Sequence, residues 1–222
     1  MKSIIFIAPP AAGKGTQSKK ISEKYHMPHI STGDLLREAS KGNTELDLKI
    51  KQLMESGSLI PDEIVLELLK ERLLQDDCKN GYIFDGFPRN VSQAKTYDQM
   101  LEEMKFDHGI VIYLDVPKEL CKKRILGRRL CPNCGAIYNN LITGMESKVE
   151  NQCDRCGHKL ETRNDDNETT FETRYQTYLE NTLPLLDYYK RLGMLYHVDS
   201  TKSTEEVFQS IIEILERGVS HD

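Results

Sequence analysis

The fold is decided by residues 3–16, which read SIIFIAPPAAGKGT. Residues 3–7 form a run of β-branched and aromatic side chains, which is typical of a strand buried on both faces of a parallel sheet. Lys14 follows between Gly13 and Gly15, and a polar helical pattern begins next. A loop of this composition between a strand and a helix indicates a phosphate-binding loop, in which backbone N–H groups and one lysine hold the anion.

The loop departs from the strict pattern G-x-x-x-x-G-K-[ST] at two points. Ala8 replaces the first glycine, and Gly15 separates Lys14 from Thr16. The Thr16 hydroxyl can still lie near Mg²⁺, which is the role of the last position of the pattern. Taken alone, the loop could also be an ordinary glycine-containing turn between a strand and a helix.

The rest of the chain alternates between strand and helix patterns. Buried strands are predicted at residues 82–84, 109–114 and 194–198, and helices at residues 62–75, 91–105, 118–128, 169–191 and 204–217. This alternation predicts an α/β protein with a parallel sheet and crossover helices. Two stretches, 31–60 and 129–167, interrupt it, and each is predicted to be an insertion on one core domain. The first is expected to be helical and to contain no strand.

Composition excludes several classes of protein. The chain has 222 residues, of which 38% are hydrophobic and 29% charged, so it is neither disordered nor membrane-spanning. Its net charge of −5 argues against binding nucleic acid through bulk positive charge. The N-terminal apolar run breaks at Pro9 and Pro10, too early for a secretory signal. We therefore expect a cytoplasmic protein whose cysteines are thiols or metal ligands.

Polar residues follow the predicted strand at 82–84. The sequence there continues as DGFPR, residues 85–89. Ligands of open α/β sheets bind at the edge where the strands end. At that edge Asp85 could hold Mg²⁺ through water, and Arg89 could hold a phosphate with its two parallel donors.

Further arginines flank predicted loops and helix ends. Arg124 and Arg128 lie four apart on one face of the predicted helix 118–128, where like charges repel unless an anion lies between or above them. Any one arginine could be a solvated surface residue. Several beside a phosphate loop indicate phosphoryl transfer, which depends on positioning and charge neutralisation. The other members of this set are Arg37, Arg163 and Arg174.

Four of the six cysteines form two C-x-x-C-G motifs, separated by residues 135–152: Cys131, Cys134, Cys153 and Cys156. The spacing matches the zinc pattern C-x₂-C-x₁₅₋₂₀-C-x₂-C. Four thiolates close a tetrahedral site and leave no position for a substrate, so the metal would be structural. Two disulfides or a redox pair are the alternatives.

Taken together, these motifs closely resemble those of the adenylate kinases, and in particular the long bacterial form with a zinc-bearing lid. The resemblance extends over nearly the whole chain. It rests on GKGTQ at 13–17, STGDLLR at 31–37, DGFPR at 85–89, Gln93, GRR at 127–129, both cysteine motifs with Tyr138, Arg163, Asp165, Asp166 and Arg174.

The resemblance implies a molecule in three parts and a reaction. The parts are a P-loop core (residues 1–30, 61–126 and 165–222), a helical insert that binds the nucleoside monophosphate (31–60) and a zinc-stapled lid (127–164). The reaction is the reversible, Mg²⁺-dependent transfer of the γ-phosphoryl group from ATP to AMP, directly and in line, which gives two ADP. The family also suggests a monomer, and on the charge and composition given above we expect no nucleic-acid or membrane partner.

The resemblance further implies the site residues. The ATP site would comprise Ala12, Gly13, Lys14, Gly15, Thr16, Gln17, Arg128, Ile137, Tyr138 and Lys202. The AMP site would comprise Thr32, Arg37, Ser58, Leu59, Ile60, Gly86, Phe87, Pro88, Arg89, Gln93, Arg163 and Arg174. Asp85 and Thr16 would hold Mg²⁺ through water. The transferring group would be stabilised by Lys14, Arg89, Arg124, Arg128, Arg163 and Arg174.

This chain departs from the family pattern at three positions. The family loop normally reads G-x-P-G-x-G-K-G-T, and here Ala8 and Ala11 replace two of its glycines. If either position requires a positive φ, alanine costs about 1–2 kcal/mol there. Ser200 replaces a usual glycine near the expected adenine pocket. We expect a loop that still binds ATP, if less well, which titration calorimetry can test.

Three other functions remain open at this stage. A kinase for UMP, CMP or a deoxynucleotide is the nearest, and Thr32 and Gln93 favour adenine over it. A catalytically inactive, zinc-containing binding module is supported only by Ala8 and Ala11. A zinc-ribbon nucleic-acid binder is disfavoured, because the predicted lid has few basic residues and no aromatic stripe for base stacking.

Overall fold

The computed structural model describes residues 3–55, 60–163 and 165–217, and within them it contains one five-stranded sheet and one hairpin. The strands in chain order are β1 (Ile4–Ile7), β2 (His29–Ser31), β3 (Ile83–Asp85), β4 (Ile110–Asp115), β5 (Arg128–Leu130), β6 (Ile137–Asn139) and β7 (Leu195–Asp199). The sheet is parallel, in the order β2-β3-β1-β4-β7, and the antiparallel pair β5-β6 forms the hairpin.

Helices connect the strands and cover both faces of the sheet. They are α1 (Lys14–Tyr25), α2 (Thr32–Ala39), α3 (Glu45–Glu55), α4 (Asp62–Leu73), α5 (Val91–Met104), α6 (Lys118–Leu126), α7 (Glu168–Thr177), α8 (Leu185–Arg191) and α9 (Thr204–Arg217). None of the helices in the described ranges is long and apolar enough to cross a bilayer.

β1 is the central strand, and all four of its residues are buried. Its side chains alternate between two apolar layers, so that Ile4 and Phe6 pack with α1, α6, α7 and α9. Ile5 and Ile7 pack with α4, α5 and α8 on the opposite face. The sheet is thus enclosed between two helical layers, which confirms the predicted α/β class.

Three short strands carry no clear sequence signal. β2, β5 and β6 have three residues each, as β3 does, but they lack the apolar run of residues 82–84 that marks β3. β2 also exposes His29 and ends at the half-buried Ser31. The expectation that residues 31–60 contain no strand is therefore wrong at Ser31, which is the last residue of β2.

Two predicted helices are shorter than expected. α6 ends at Leu126 and Gly127 is its C-cap, so Arg128 begins β5 and does not lie on the helix. The prediction that Arg124 and Arg128 share one helix face is therefore wrong. The predicted helix 169–191 is divided into α7, a π-helical turn and α8, and Pro184, which has no N–H to donate, lies at the second boundary.

Gly109 fixes the start of β4 against β1. Its φ is +74°, and an added Cβ would lie 2.2 Å from the carbonyl oxygen of Ser3. We expect Gly109→Ala to lower the free energy of unfolding by about 3 kcal/mol or more, because backbone strain and a backbone clash add together. Urea denaturation would measure the loss.

Gly193→Ala is the matched control. Gly193 has a similar φ of +69°, but none of the described atoms lies within 4 Å of its added Cβ. Only the backbone strain remains, so we expect a loss of about 1 kcal/mol. Equal losses in the two variants would show that the contact with Ser3 has no energetic importance.

Candidate active site

The loop that follows β1 opens at the edge of the sheet where the parallel strands end. Gly13 is the N-cap of α1 in the left-handed conformation, and Lys14 is the first helical residue. The first turn of α1 contains no acidic residue, so no carboxylate competes there for the free N–H groups and the positive end of the helix dipole. This arrangement is suited to binding phosphate.

Ala11 has a left-handed backbone with a φ of 62°. Ala8, the other alanine at a glycine position, is not among the described residues with positive φ. The condition for strain is therefore met at Ala11, where the alanine methyl group costs about 1–2 kcal/mol.

Asp85 ends β3 and faces the phosphate loop. Its Oδ1 lies 2.9 Å from Nζ of Lys14, and its Oδ2 lies 3.3 Å from Nε2 of His29. Burial alone would raise the pKa of Asp85, but the hydrogen bond from His29 and the charge of Lys14 outweigh it. The pKa therefore lies well below the usual range of a carboxyl group, and Asp85 is ionised at neutral pH. An ionised carboxylate here can hold a hydrated divalent cation beside the phosphates.

A second group of polar residues begins directly after Asp85. The carbonyl of Gly86 accepts hydrogen bonds from Nε of Arg89 at 2.7 Å and from the hydroxyl of Thr32 at 3.5 Å. Gly86 has a φ of +89°, and a Cβ there would lie 3.4 Å from both of those side chains. The missing side chain thus lets two donors of the predicted AMP site converge on one carbonyl.

Gln93 holds this group together. Its Oε1 accepts the backbone N–H of Arg89 at 2.7 Å, and its Nε2 donates to Asp62 at 2.6 Å. Asp62, which the sequence motifs do not mark, thereby links α4 to this part of the site. The side chain of Phe87 packs against Phe84 and Tyr97 in the core. Phe87 therefore offers a ligand only its backbone.

Arg37 lies on α2, near the start of the predicted insert. Its guanidinium pairs with Asp34 one turn earlier and is 61% exposed. The N-cap of α2 is Ser31, whose hydroxyl accepts the N–H of Asp34. Thr32 is thus the first residue of the helix, and Asp34 lies in its first turn. Ile60 is half-buried, whereas Ser58 and Leu59 lie outside the described residues.

Two arginines that follow α6, Arg128 and Arg174, pair with two consecutive aspartates. Nε of Arg128 donates to Asp166 at 2.8 Å, and its Nη2 contacts the second oxygen of the same carboxylate, whose side chain is fully buried. Arg174 lies 3.0 Å from the exposed Asp165. Two of the three arginines predicted around the lid are thus held by carboxylates, and the third, Arg163, is exposed.

Arg124 instead contacts the phosphate loop. Its Nη1 donates to the carbonyl of Ala12 at 3.3 Å, and its Nη2 donates to the carbonyl of Ser200 at 2.8 Å. Its predicted contact with the transferring phosphoryl group stays a prediction.

The four cysteines of the two motifs converge. Their sulfur atoms all lie within 4.8 Å of one another, with Cys131 and Cys156 at 3.4 Å and Cys134 and Cys153 at 3.5 Å. A tetrahedron of sulfurs around zinc has edges of about 3.8 Å, given Zn–S bonds of about 2.3 Å, so the cluster fits this ion. A backbone hydrogen bond from His158 helps to lower the pKa of Cys156 to about 6, whereas burial and the hydrogen bond with Cys153 raise the pKa of Cys134 to about 12.

The remaining residues of the predicted ATP site lie in different parts of the structure. Tyr138 is buried in the cysteine cluster, where its hydroxyl lies 3.5 Å from Cys153 and accepts the N–H of Asp154. Ile137 and Lys202 are exposed. Gln17 is buried and donates to the carbonyl of Thr204. Their contacts with ATP stay predictions.

The phosphate loop on a parallel sheet, the lysine–carboxylate pair and the surrounding arginines define a P-loop phosphotransferase. The family model described as adenylate kinase matches residues 6–194. A protein named adenylate kinase from Archaeoglobus fulgidus is 50% identical over 215 residues, which cover 97% of this chain and 98% of that protein. One of the same name from Thermodesulfovibrio yellowstonii is 49% identical over 214 residues (96% and 99%). The chain belongs to the adenylate kinase family, and it is an enzyme of the nucleoside monophosphate kinase class.

The lowered pKa of Asp85 makes its contribution to stability depend on pH. An ionised Asp85 stabilises the folded protein above the unfolded-state pKa of about 3.9, and this stabilisation is lost as the pH falls through the lower folded-state value. We expect Asp85→Asn to lower the free energy of unfolding by about 1–2 kcal/mol at neutral pH. The difference from the wild type should shrink once the pH falls below about 4.

Urea denaturation over a pH series would measure this difference. Asp187→Asn, which changes an exposed carboxylate of α8, serves as the control and should change stability by less than about 0.5 kcal/mol. A difference for Asp85→Asn that is absent at neutral pH, or that is the same at every pH, would contradict the assignment.

Proposed function

We propose that this enzyme catalyses the reversible reaction ATP + AMP ⇌ 2 ADP. One observation carries the proposal: Asp85, which contacts the lysine of the phosphate loop, is followed directly by Gly86, on which Thr32 and Arg89 converge. This arrangement would bring a donor site and an acceptor site together at the end of one strand. The two relatives described above, both named adenylate kinase, support the same reaction.

The chain would act in three parts. The core (residues 1–30, 61–126 and 165–222) provides the phosphate loop, the insert of residues 31–60 binds AMP, and the lid of residues 127–164 covers ATP. Lys14, Gly13 and Gly15 hold the phosphates of ATP, while Thr32, Arg37 and the residues from Gly86 to Arg89 hold AMP.

Chemistry at this site requires positioning and positive charge. The acceptor, the phosphate of AMP, is already an anion and needs no general base to activate it. Lys14 and the surrounding arginines neutralise the negative charge of the transferring group as it moves in line between the two nucleotides. Asp85 and Thr16 would hold Mg²⁺ through water, and the bound ion would supply further positive charge to the phosphates.

The arginines of the lid region change partners during this step. Arg128 and Arg174 are paired with Asp166 and Asp165 in the structure, and phosphate oxygens replace these carboxylates when the nucleotides bind. Closure of the two inserts excludes water, which would otherwise accept the phosphoryl group.

We further propose that the enzyme works as a monomer in the cytoplasm, with ATP, AMP and ADP as its ligands. None of the six cysteines forms a disulfide in the structure, which fits a reducing compartment.

A coupled assay of ADP formation tests the proposed reaction. With ATP and Mg²⁺, we expect AMP to be the preferred acceptor in a panel that includes UMP, CMP and dAMP. Lys14→Met should lower kcat by about a hundredfold or more, because the lysine contacts the transferring charge. Lys19→Met removes an exposed lysine of the same helix and should leave kcat unchanged.

Each alternative function has its own outcome in this assay. A preference for UMP or CMP would show that the acceptor nucleotide carries a pyrimidine and not adenine. Failure of the wild type to form ADP from ATP and AMP would contradict the proposal and favour an inactive binding module.

We also propose that the cysteine cluster binds one structural Zn²⁺. Elemental analysis should find about one zinc per chain. Cys134→Ser should lose the metal and lower Tm by several degrees, because the cluster is the main core of the lid. Cys78→Ser changes a buried thiol outside the cluster and should retain zinc, even if it lowers stability. Full zinc content in Cys134→Ser would contradict a four-thiolate site.

A further inference from the structure

Ser200 links the phosphate loop to the sheet. It directly follows β7 and is 3% exposed. Its hydroxyl donates a hydrogen bond to the carbonyl of Ala12 at 2.8 Å, and its own N–H donates to the carbonyl of Asp115 at 2.9 Å. One buried serine thus connects the loop to the ends of β4 and β7.

Arg124 reinforces the same connection. Its guanidinium bridges the carbonyls of Ala12 and Ser200. The carbonyl of Ala12 therefore accepts two hydrogen bonds, one from a hydroxyl and one from a guanidinium. Since buried hydrogen bonds of this kind are costly to break, the orientation of this carbonyl is fixed.

The orientation of the Ala12 carbonyl determines where the next N–H points. A trans peptide places its C=O and N–H on opposite sides of the chain. Because the carbonyl of Ala12 points toward Ser200, the N–H of Gly13 points away from Ser200 and the core. Gly13 is also the N-cap of α1, so this N–H belongs to the set available to an anion at the helix N-terminus.

The same peptide lies next to the strained position. Ala11 is held at a φ of 62°, which an alanine adopts only when its surroundings impose it. Two sets of contacts hold Ala11 there. The N–H of Ala12 donates to the carbonyl of Pro9 at 3.3 Å, which closes a turn around Ala11, and the carbonyl of Ala12 accepts the hydrogen bonds from Ser200 and Arg124.

We propose that Ser200 is a positioning residue for ATP: its hydroxyl holds the Ala12–Gly13 peptide in the anion-binding orientation and offsets the left-handed strain at Ala11. This inference rests on the proposed function for the identity of the anion, an ATP phosphate.

Titration calorimetry with Mg²⁺ and ATP, and separately with AMP, tests the first part of this proposal. We expect Ser200→Ala to raise the Kd for ATP by about threefold to tenfold, the effect of one buried hydrogen bond, and to leave the Kd for AMP unchanged. Ser22→Ala is the matched control, because it removes a part-buried hydroxyl that donates to the carbonyl of Met27 at 2.7 Å. It should change neither Kd.

A double-mutant cycle with Ala11→Gly tests the second part. Glycine adopts the left-handed conformation without strain, so we expect Ala11→Gly to lower the Kd for ATP. In that background the effect of Ser200→Ala should fall to less than about twofold, because the loop no longer depends on the hydroxyl. If Ser200→Ala fails to fold, Ser200→Gly removes the same hydroxyl and carries the same expectations.

Three results would overturn the proposal. An unchanged Kd for ATP in the folded Ser200 variant would show that the hydroxyl does not position the loop. Equal losses of ATP and AMP affinity would indicate a general structural role, and full additivity with Ala11→Gly would remove the link to strain. Failure of the proposed function would be seen separately, because it concerns ADP formation by the wild type, whereas these titrations measure binding.

Discussion

The contact between Lys14 and Asp85 is the constraint on which the rest of the site depends. It joins the start of α1 to the end of β3 at 2.9 Å, and so fixes the phosphate loop relative to the neighbouring strand. Because Gly86 follows Asp85 directly, the same contact also fixes the distance between the loop and the group formed by Thr32 and Arg89. The carboxylate remains ionised in a partly buried place because Lys14 and His29 both face it.

Features with a local cause could be predicted from the sequence. β1 and its loop are marked by an unbroken apolar run followed by glycines and a lysine, and the cysteine cluster is marked by its spacing. The position of Arg128 was predicted wrongly, because the helical pattern of the sequence continues past Gly127 although α6 ends at Leu126. β2, β5 and β6 were likewise not predicted, because their three residues mix polar and apolar side chains.

Contacts between distant parts of the chain could not be predicted. His29 reaches Asp85 only because β2 pairs with β3, with Ser31 opposite Asp85. No motif around His29 signals this contact. The same is true of Ser200, whose hydroxyl meets the phosphate loop through the order of the sheet. The direction of a side chain also matters, since Phe87 lies within a predicted binding motif but packs in the core.

The phosphate loop contains a strained residue, Ala11, and the next carbonyl is held by hydrogen bonds from the core. An alanine in the left-handed region would destabilise a free loop, yet Ser200 and Arg124 hold the next carbonyl from the core side. The arginines farther out are held differently, by Asp165 and Asp166, which a phosphate can replace. The inner part of the site is thus held in place by the core, whereas the proposed mechanism requires the outer arginines to exchange their carboxylate partners for phosphates.

The central claim is that donor and acceptor nucleotides lie on either side of the Asp85–Gly86 junction, out of reach of water. The most direct test compares the rate at which the wild type transfers phosphate from ATP to AMP with the rate at which it hydrolyses ATP alone. We predict that transfer exceeds hydrolysis by about a hundredfold or more, because AMP is held in place and water is excluded. Comparable rates of transfer and hydrolysis would contradict the account.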